Sequence, residues 1–213
     1  MTTVTRPDAL LLITSTCPHC PSVLQGLSEL VKQGVIGRLE VVNIGFHPEV
    51  AQQHGVRSVP WIRIGEFELE GRYMMAELRQ WAERAGTATG LAEYFHEQLK
   101  NGALARVSER ALREPAAVQA LLRLLGDPDT ELTVRIGINA VFESLEGQPA
   151  IAGAVEPLLE LSRHRDAHVR GDAAHLLSHT RDARARERLQ KLLDDEVNDV
   201  REIAREGLER LAG

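Results

Sequence analysis

Both cysteines of the chain lie in one short stretch, TSTCPHCPSVL at residues 14–24, with Pro18 and His19 between Cys17 and Cys20 and Pro21 directly after. Two thiols two residues apart can do three kinds of chemistry. They can supply half the ligands of a tetrahedral zinc site. They can sit as an inert buried pair or staple. They can also work as a redox couple, in which one thiolate attacks a disulfide and the other resolves the mixed disulfide. Zinc would need further ligands; with no second CxxC in the chain, His47 and His54 would have to provide them.

The elements that must hold this pair can be read from periodicity. ALLLIT (9–14) is a short apolar run, as a buried strand requires. Beyond the cysteines Val23, Leu24, Leu27, Leu30 and Val31 recur at helical spacing, and Gly34 should end that helix. RLEVVNI (38–44) reads as a strand and HPEVAQQHG (47–55) as a short helix with Pro48 in its first turn. PWIRIGEFELEG (60–71) reads as a hairpin turning at Gly65, and MMAELRQWAERAG (74–86) as an amphipathic helix.

The order βαβαββα places CPHC after the first strand, at the start of the first helix. There, unpaired backbone N–H groups and the helix dipole favour a thiolate. Cys17 is expected to attack and Cys20, one turn later and more buried, to resolve. A charged His19 would stabilise the thiolate, and Pro18 would stiffen the turn. Thr16, just before Cys17, lies within reach of a substrate.

A second segment points to the same chemistry. VRSVPW (56–61) precedes the expected hairpin. A cis bond between Val59 and Pro60 would turn the chain so that backbone next to the cysteines could pair with an extended substrate segment. Trp61 would then either form an apolar lip beside Cys17 or anchor the strand.

These residues in this order make residues 8–86 resemble the thioredoxin/glutaredoxin superfamily in its minimal form. CPHCPSVLQGL is similar to the N-terminal domain of bacterial alkyl hydroperoxide reductase flavoproteins and to microbial protein disulfide oxidoreductases. GRYMMAEL (71–78) is similar to the glycine-led start of the last helix in those domains. The resemblance implies a redox-active dithiol, and the Pro-His dipeptide an oxidising poise, as in a bacterial disulfide oxidase. The chain departs from the pattern in three places. Thr16 stands where thioredoxins have Trp. Leu11 replaces their buried Asp, so the proton of Cys20 must use another group or water. Glu70-Gly71-Arg72-Tyr73 does not match the glutathione-holding pattern of glutaredoxins.

After GTATG (86–90), a linker by composition, no strand signal remains. Helical patterns fill 91–100, 103–113, 115–126, 129–145, 150–163, 166–179, 182–193 and 197–211. Val134-Arg135, Val169-Arg170 and Val200-Arg201 recur at a spacing of roughly 31–35 residues, the period of a helix-pair repeat. Residues 115–211 resemble HEAT-like repeats of the short bacterial type. The resemblance implies that Asp129, Asp166 and Asn198 or Asp199 cap the second helix of each pair, and that the Val-Arg pairs pack against neighbouring repeats. His168, His175 and His179 share a stripe of one such helix, and His175 and His179 have the i,i+4 spacing of a metal pair. Next to a Val169–Ala173–Leu176 core stripe they are expected to be solvated, and no metal is expected. RDARARER (181–188) reads as a solvated face.

The 213 residues carry a formal net charge of −6 with no basic block, which removes the footprint a nucleic-acid binder needs. No run approaches the ~20 apolar residues that span a bilayer. The segment at residues 1–16 lacks the basic flank and long apolar core of a secretory signal. A cytoplasmic protein is expected, with no membrane partner and no cofactor. In a reducing compartment a lone CxxC favours catalysis or metal binding over a staple.

The expected fold class is an α/β thioredoxin-like domain (βαβαββα) at 1–86 followed by an all-α HEAT-like helical repeat domain at 87–213. The expected function is that of a thiol–disulfide oxidoreductase acting on a protein disulfide or dithiol, with a further protein docked on the repeats. The alternatives are a redox-sensing interaction module without turnover and a zinc-stabilised scaffold.

Overall fold

A computed structural model describes residues 6–212; residues 1–5 of the segment read for a signal lie outside the described residues. The chain divides into two compact units, the first ending at Leu91 and the second beginning at Ala92.

In the first unit four strands form one sheet in the order β2-β1-β3-β4. They are β1 (Asp8–Ile13), β2 (Arg38–Asn43), β3 (Trp61–Ile64) and β4 (Phe67–Glu70). β1 and β2 are parallel and joined through helix α1 (Cys20–Lys32), as a βαβ crossover requires. β3 runs antiparallel to β1, and β4 antiparallel to β3. Gly65 turns that hairpin at φ 55, a conformation that a side chain would oppose. Helices α2 (Pro48–Gln53) and α3 (Met75–Arg84) complete the expected βαβαββα order.

Strand alternation divides the apolar residues between two faces. Leu11 faces Ile62 and Ala9 faces Ile64, while Leu12 faces Trp61 on the other side. The Leu11 face receives α1 and α3: the Phe67 ring, opposite Ile64, packs on Trp81 of α3 at 5.0 Å. At Gly26 of α1 an added Cβ would meet Leu78 of α3 at 3.3 Å, so glycine allows the two helices to approach closely. On the second face Leu10, Leu12 and Trp61 form a core with Val42, Ile44, Val50, Val56 and Val59.

The second unit is helical: α4 (Ala88–Lys100, which begins in the first unit), α5 (Leu104–Arg113), α6 (Pro115–Leu125), α7 (Leu132–Ser144), a 3₁₀ turn (Pro149–Ala154), α8 (Val155–Leu161), α9 (Ala167–His179), α10 (Ala183–Leu192) and α11 (Asn198–Arg210). Residues 88–90 of the expected linker form the first turn of α4. α7, α9 and α11 pack side by side in one row, with α8 and α10 packed behind them. Each helix thus meets its neighbours in the stack, the arrangement of a solenoid.

The Val-Arg pairs carry this stacking. Val134, Val169 and Val200 are fully buried. Arg170 reaches the next repeat with a two-pronged fork, Nε to Asp195 Oδ2 at 2.9 Å and Nη2 to Asp195 Oδ1 at 2.8 Å, while Nη1 donates to the carbonyls of His164 and Arg165. Arg135 reaches Asp172 through Nη1 alone, while its Nε and Nη2 donate to the Thr130 and Asp127 carbonyls. Arg201, in the final helix, turns to the carbonyls of Asp195 and Glu196 and to the Asn198 side chain.

The expected caps need correction. Of Asp129, Asp166, Asn198 and Asp199, Asp166 alone caps, accepting from His168 N and Val169 N. α7 starts after Glu131, three residues later than expected, so Asp129 lies in the preceding turn. α11 starts after Val197, which leaves Asn198 and Asp199 inside the helix.

Candidate active site

The reactive loop spans the gap between Ile13 at the end of β1 and Cys20, the first residue of α1. Pro21 follows at a position where no intrahelical N–H is needed, so it favours the helix start. Cys17 donates its backbone N–H to Thr14 O at 3.3 Å, curling the loop back toward β1. Asn43 at the end of β2 braces the loop from the side, donating to Ser15 Oγ at 3.0 Å. Sequence reasoning overlooked Asn43 and Ser15, because an asparagine at a strand end carries no signal for a contact 28 residues away.

Cys17 and Cys20 are joined by a disulfide with Cα atoms 5.6 Å apart, inside the usual range. Their environments differ: Cys17 is half-buried and Cys20 is 3% exposed. The backbone N–H of Cys20 points at Cys17 Sγ at 3.2 Å. Cys17 itself lies three residues before the helix, so it is the sulfur that meets the helix N-terminus. A donor aimed at Sγ favours the charged form once the disulfide is opened.

Thr16, Pro18 and His19 are exposed around Cys17, and His19 is the N-cap residue of α1 without a capping side-chain bond. The Val59–Pro60 peptide is cis, and the Val59 carbonyl oxygen lies 3.8 Å from Cys17 Sγ. Pro60 O accepts from Gly71 N at 2.9 Å, which ties this loop to the hairpin end. The structure therefore gathers Thr16, Cys17, Pro18, His19, Val59 and Pro60 at one end of the sheet, beside its two central strands.

Trp61 stands apart from them. It has no exposed surface and packs within the Leu10–Leu12 core with the His54 ring 5.1 Å away. Its burial fits the strand anchor, and the apolar lip is corrected: β3 alternation turns its side chain to the α2 face. Leu11 is also fully buried, so an apolar side chain occupies the position of the thioredoxin acid. His47 bonds Glu49 at 3.1 Å, and His54 stacks on Trp61.

A family model described as a thioredoxin domain matches residues 9–83, and one described as HEAT repeats matches residues 138–209. The chain carries a thioredoxin domain followed by HEAT repeats. No curated protein matches the chain. The thioredoxin match contains the whole reactive loop and the Val59–Pro60 loop. The HEAT match begins inside α7 and contains the Arg170–Asp195 fork.

Within the HEAT unit the expectation of three solvated histidines holds for His168 alone. His175 is half-buried and His179 is 1% exposed. α9 is enclosed by α7, α8, α10 and α11, so a stripe that would be solvated on a terminal helix is covered here. Burial, with the His179 ring as the next cause, holds His175 below the ordinary imidazole value. RDARARER is mostly exposed, as expected, although Arg188 donates to Ser162 O at 2.6 Å. No described helix is long and apolar enough to cross a membrane.

Proposed function

We propose that the thioredoxin unit is a thiol–disulfide oxidoreductase of the cytoplasm, with Cys17 as nucleophile and Cys20 as resolving thiol. The observation that carries this reading is the asymmetry of the pair: Cys17 is half-buried and its Sγ receives the Cys20 N–H, while Cys20 is buried. In the reducing direction the Cys17 thiolate attacks one sulfur of a substrate protein disulfide, an S–S bond forms to Cys17, and a substrate thiolate leaves. Cys20 then loses its proton to water and attacks Cys17 Sγ, and the second substrate thiolate leaves. The substrate has gained two electrons and two protons, and the enzyme holds the Cys17–Cys20 disulfide until a donor dithiol reduces it. The same steps run backwards when the substrate is a dithiol.

His19 tunes the thiolate, Thr16 and Pro18 border the attacking sulfur, and the exposed polypeptide segment of a substrate lies along Val59 and Pro60. HEAT repeats suggest protein–protein interaction, so the second unit is assigned the docking of the partner that carries the disulfide, raising its effective concentration at Cys17.

Disulfide reduction with insulin and a dithiol donor tests the reading. Turnover by the wild type and none by Cys17→Ser is expected, and Cys20→Ser should accumulate a mixed disulfide with the substrate. A wild type that exchanges with no donor would instead favour a redox-responsive interaction module.

A further inference from the structure

Glu143, His175 and His179 form a group outside the redox site. One ligand atom from each lies within 4.8 Å of the other two, and among the described residues no other cluster of this kind stands out. Glu143 lies in the last turn of α7, and the two histidines lie one turn apart on α9. Glu143 Oε1 is 3.7 Å from His175 Nε2, and the two imidazole rings meet edge-on with centroids 5.0 Å apart.

The second observation concerns His179. Its Nδ1 lies 2.9 Å from Glu146 Oε2, and Glu146 also accepts from Arg181. A carboxylate only accepts, so Nδ1 carries the proton, and in the neutral ring Nε2 is left with a lone pair. That Nε2 is buried and has no hydrogen-bond partner, on a residue only 1% exposed. A buried unsatisfied nitrogen is costly. A carboxylate holding Nδ1 while Nε2 presents its lone pair is the orientation that metal-bound histidines adopt.

We propose that Glu143, His175 and His179 bind one zinc-class divalent transition-metal ion, with Glu146 orienting His179 from behind and water filling the fourth position. The donor set chooses the ion. Calcium and magnesium take oxygen ligands, whereas two imidazoles and one carboxylate suit zinc and its neighbours. Arg181, bound to Glu146, offsets the charge of that carboxylate. A hard cation therefore gains little here by charge alone, while a nitrogen-seeking ion gains its bonds. Tetrahedral zinc at ~2.1 Å from each donor sets the donors about 3.4 Å apart. Glu143 and His175, with side chains 55% and 32% exposed, can close the remaining gap while His179 stays fixed. The ion would join α7 to α9 and so clamp adjacent repeats.

The test uses the full chain with the Cys17–Cys20 disulfide intact, so that thiolates take no part. Calorimetric titration with zinc should show one equivalent bound with a dissociation constant of about 1 µM or tighter, and melting of the repeats should rise by about 5 °C at saturation. His175→Ala and Glu143→Ala should each weaken zinc binding at least about 100-fold while their metal-free melts match that of metal-free wild type. A Cys17→Ser/Cys20→Ser double variant should keep the site. The proposal is overturned if wild type takes up no zinc at about 100 µM, if uptake survives His175→Ala, or if uptake depends on the cysteines.

Discussion

Among the described residues, all six buried polar or charged side chains, Thr130, Arg135, Ser162, Arg170, Ser178 and His179, belong to the HEAT unit, whereas the core of the thioredoxin unit is apolar. The contrast follows from architecture. A sheet covered by helices on both faces has a closed centre, and apolar shape alone can specify it. Its reactive sulfur is then left at a loop on the rim. A stack of helix pairs has no single centre, and each pair could slide along the next. Directional bonds such as the Arg170–Asp195 fork fix that register, and isolation from water strengthens them.

The largest effect expected from breaking this contrast is chemical and confined to one unit. Cys17→Ser should lower disulfide exchange by about 10³-fold or more, because the nucleophile has no substitute. The melting of the HEAT unit should not move, which separate thermal transitions can report.

Next comes the fork. Asp195→Ala leaves the buried Arg170 guanidinium with only the exposed Glu196 carboxylate, 3.3 Å from Nη2, and a loss of about 3–5 kcal/mol is expected by urea unfolding of the repeats. Arg170→Leu paired with Asp195→Leu should cost much less, since removing both charges removes the desolvation as well. A large loss in the double variant would show that the fork stabilises the stack beyond what apolar packing can replace. In the apolar core of the other unit, Leu11→Ala should cost about 2–5 kcal/mol by cavity formation and should leave the repeats unchanged.

The fork also predicts a pH dependence. Hydrogen bonds from Arg170 hold the Asp195 carboxyl below the usual carboxylate range. A depressed folded-state pKa gives stability that is present above the unfolded value, near 3.9, and is lost as pH falls through the folded value. Melting of the repeats should therefore decline as the pH drops below about 4, and Asp195→Asn should flatten that decline. The smallest effect separates two aspartates that look equivalent in sequence. Asp166→Ala should cost about 1 kcal/mol, because two N–H groups lose their cap, whereas Asp129→Ala should stay within about 0.5 kcal/mol.

Much of the fold was legible because its signals are local. The βαβαββα order followed from runs of alternating or helical period bounded by Gly34, Gly55 and Gly65, all three of which adopt positive φ. The Val-Arg period marked the stack for the same reason. Asp129 shows where local reading fails: an aspartate before a helix resembles a cap until the helix start is fixed, and in the fold Asp129 N bonds Asp127 Oδ1 instead. In the candidate site the positions of Cys17, Cys20, Val59 and Pro60 were legible as a pair of motifs, but the Asn43–Ser15 brace and the burial of Trp61 were not, since each depends on a partner far along the chain.

The sequence by itself determined which elements form, where the two thiols sit relative to them, and the repeat period, because backbone propensity and apolar spacing act over a few residues. Only the tertiary structure decided that Trp61 belongs to the core, that Arg170 meets Asp195, and that His179 is buried against Glu146, 33 residues away. Burial and pairing depend on which helices enclose a side chain, and that is settled when the elements pack.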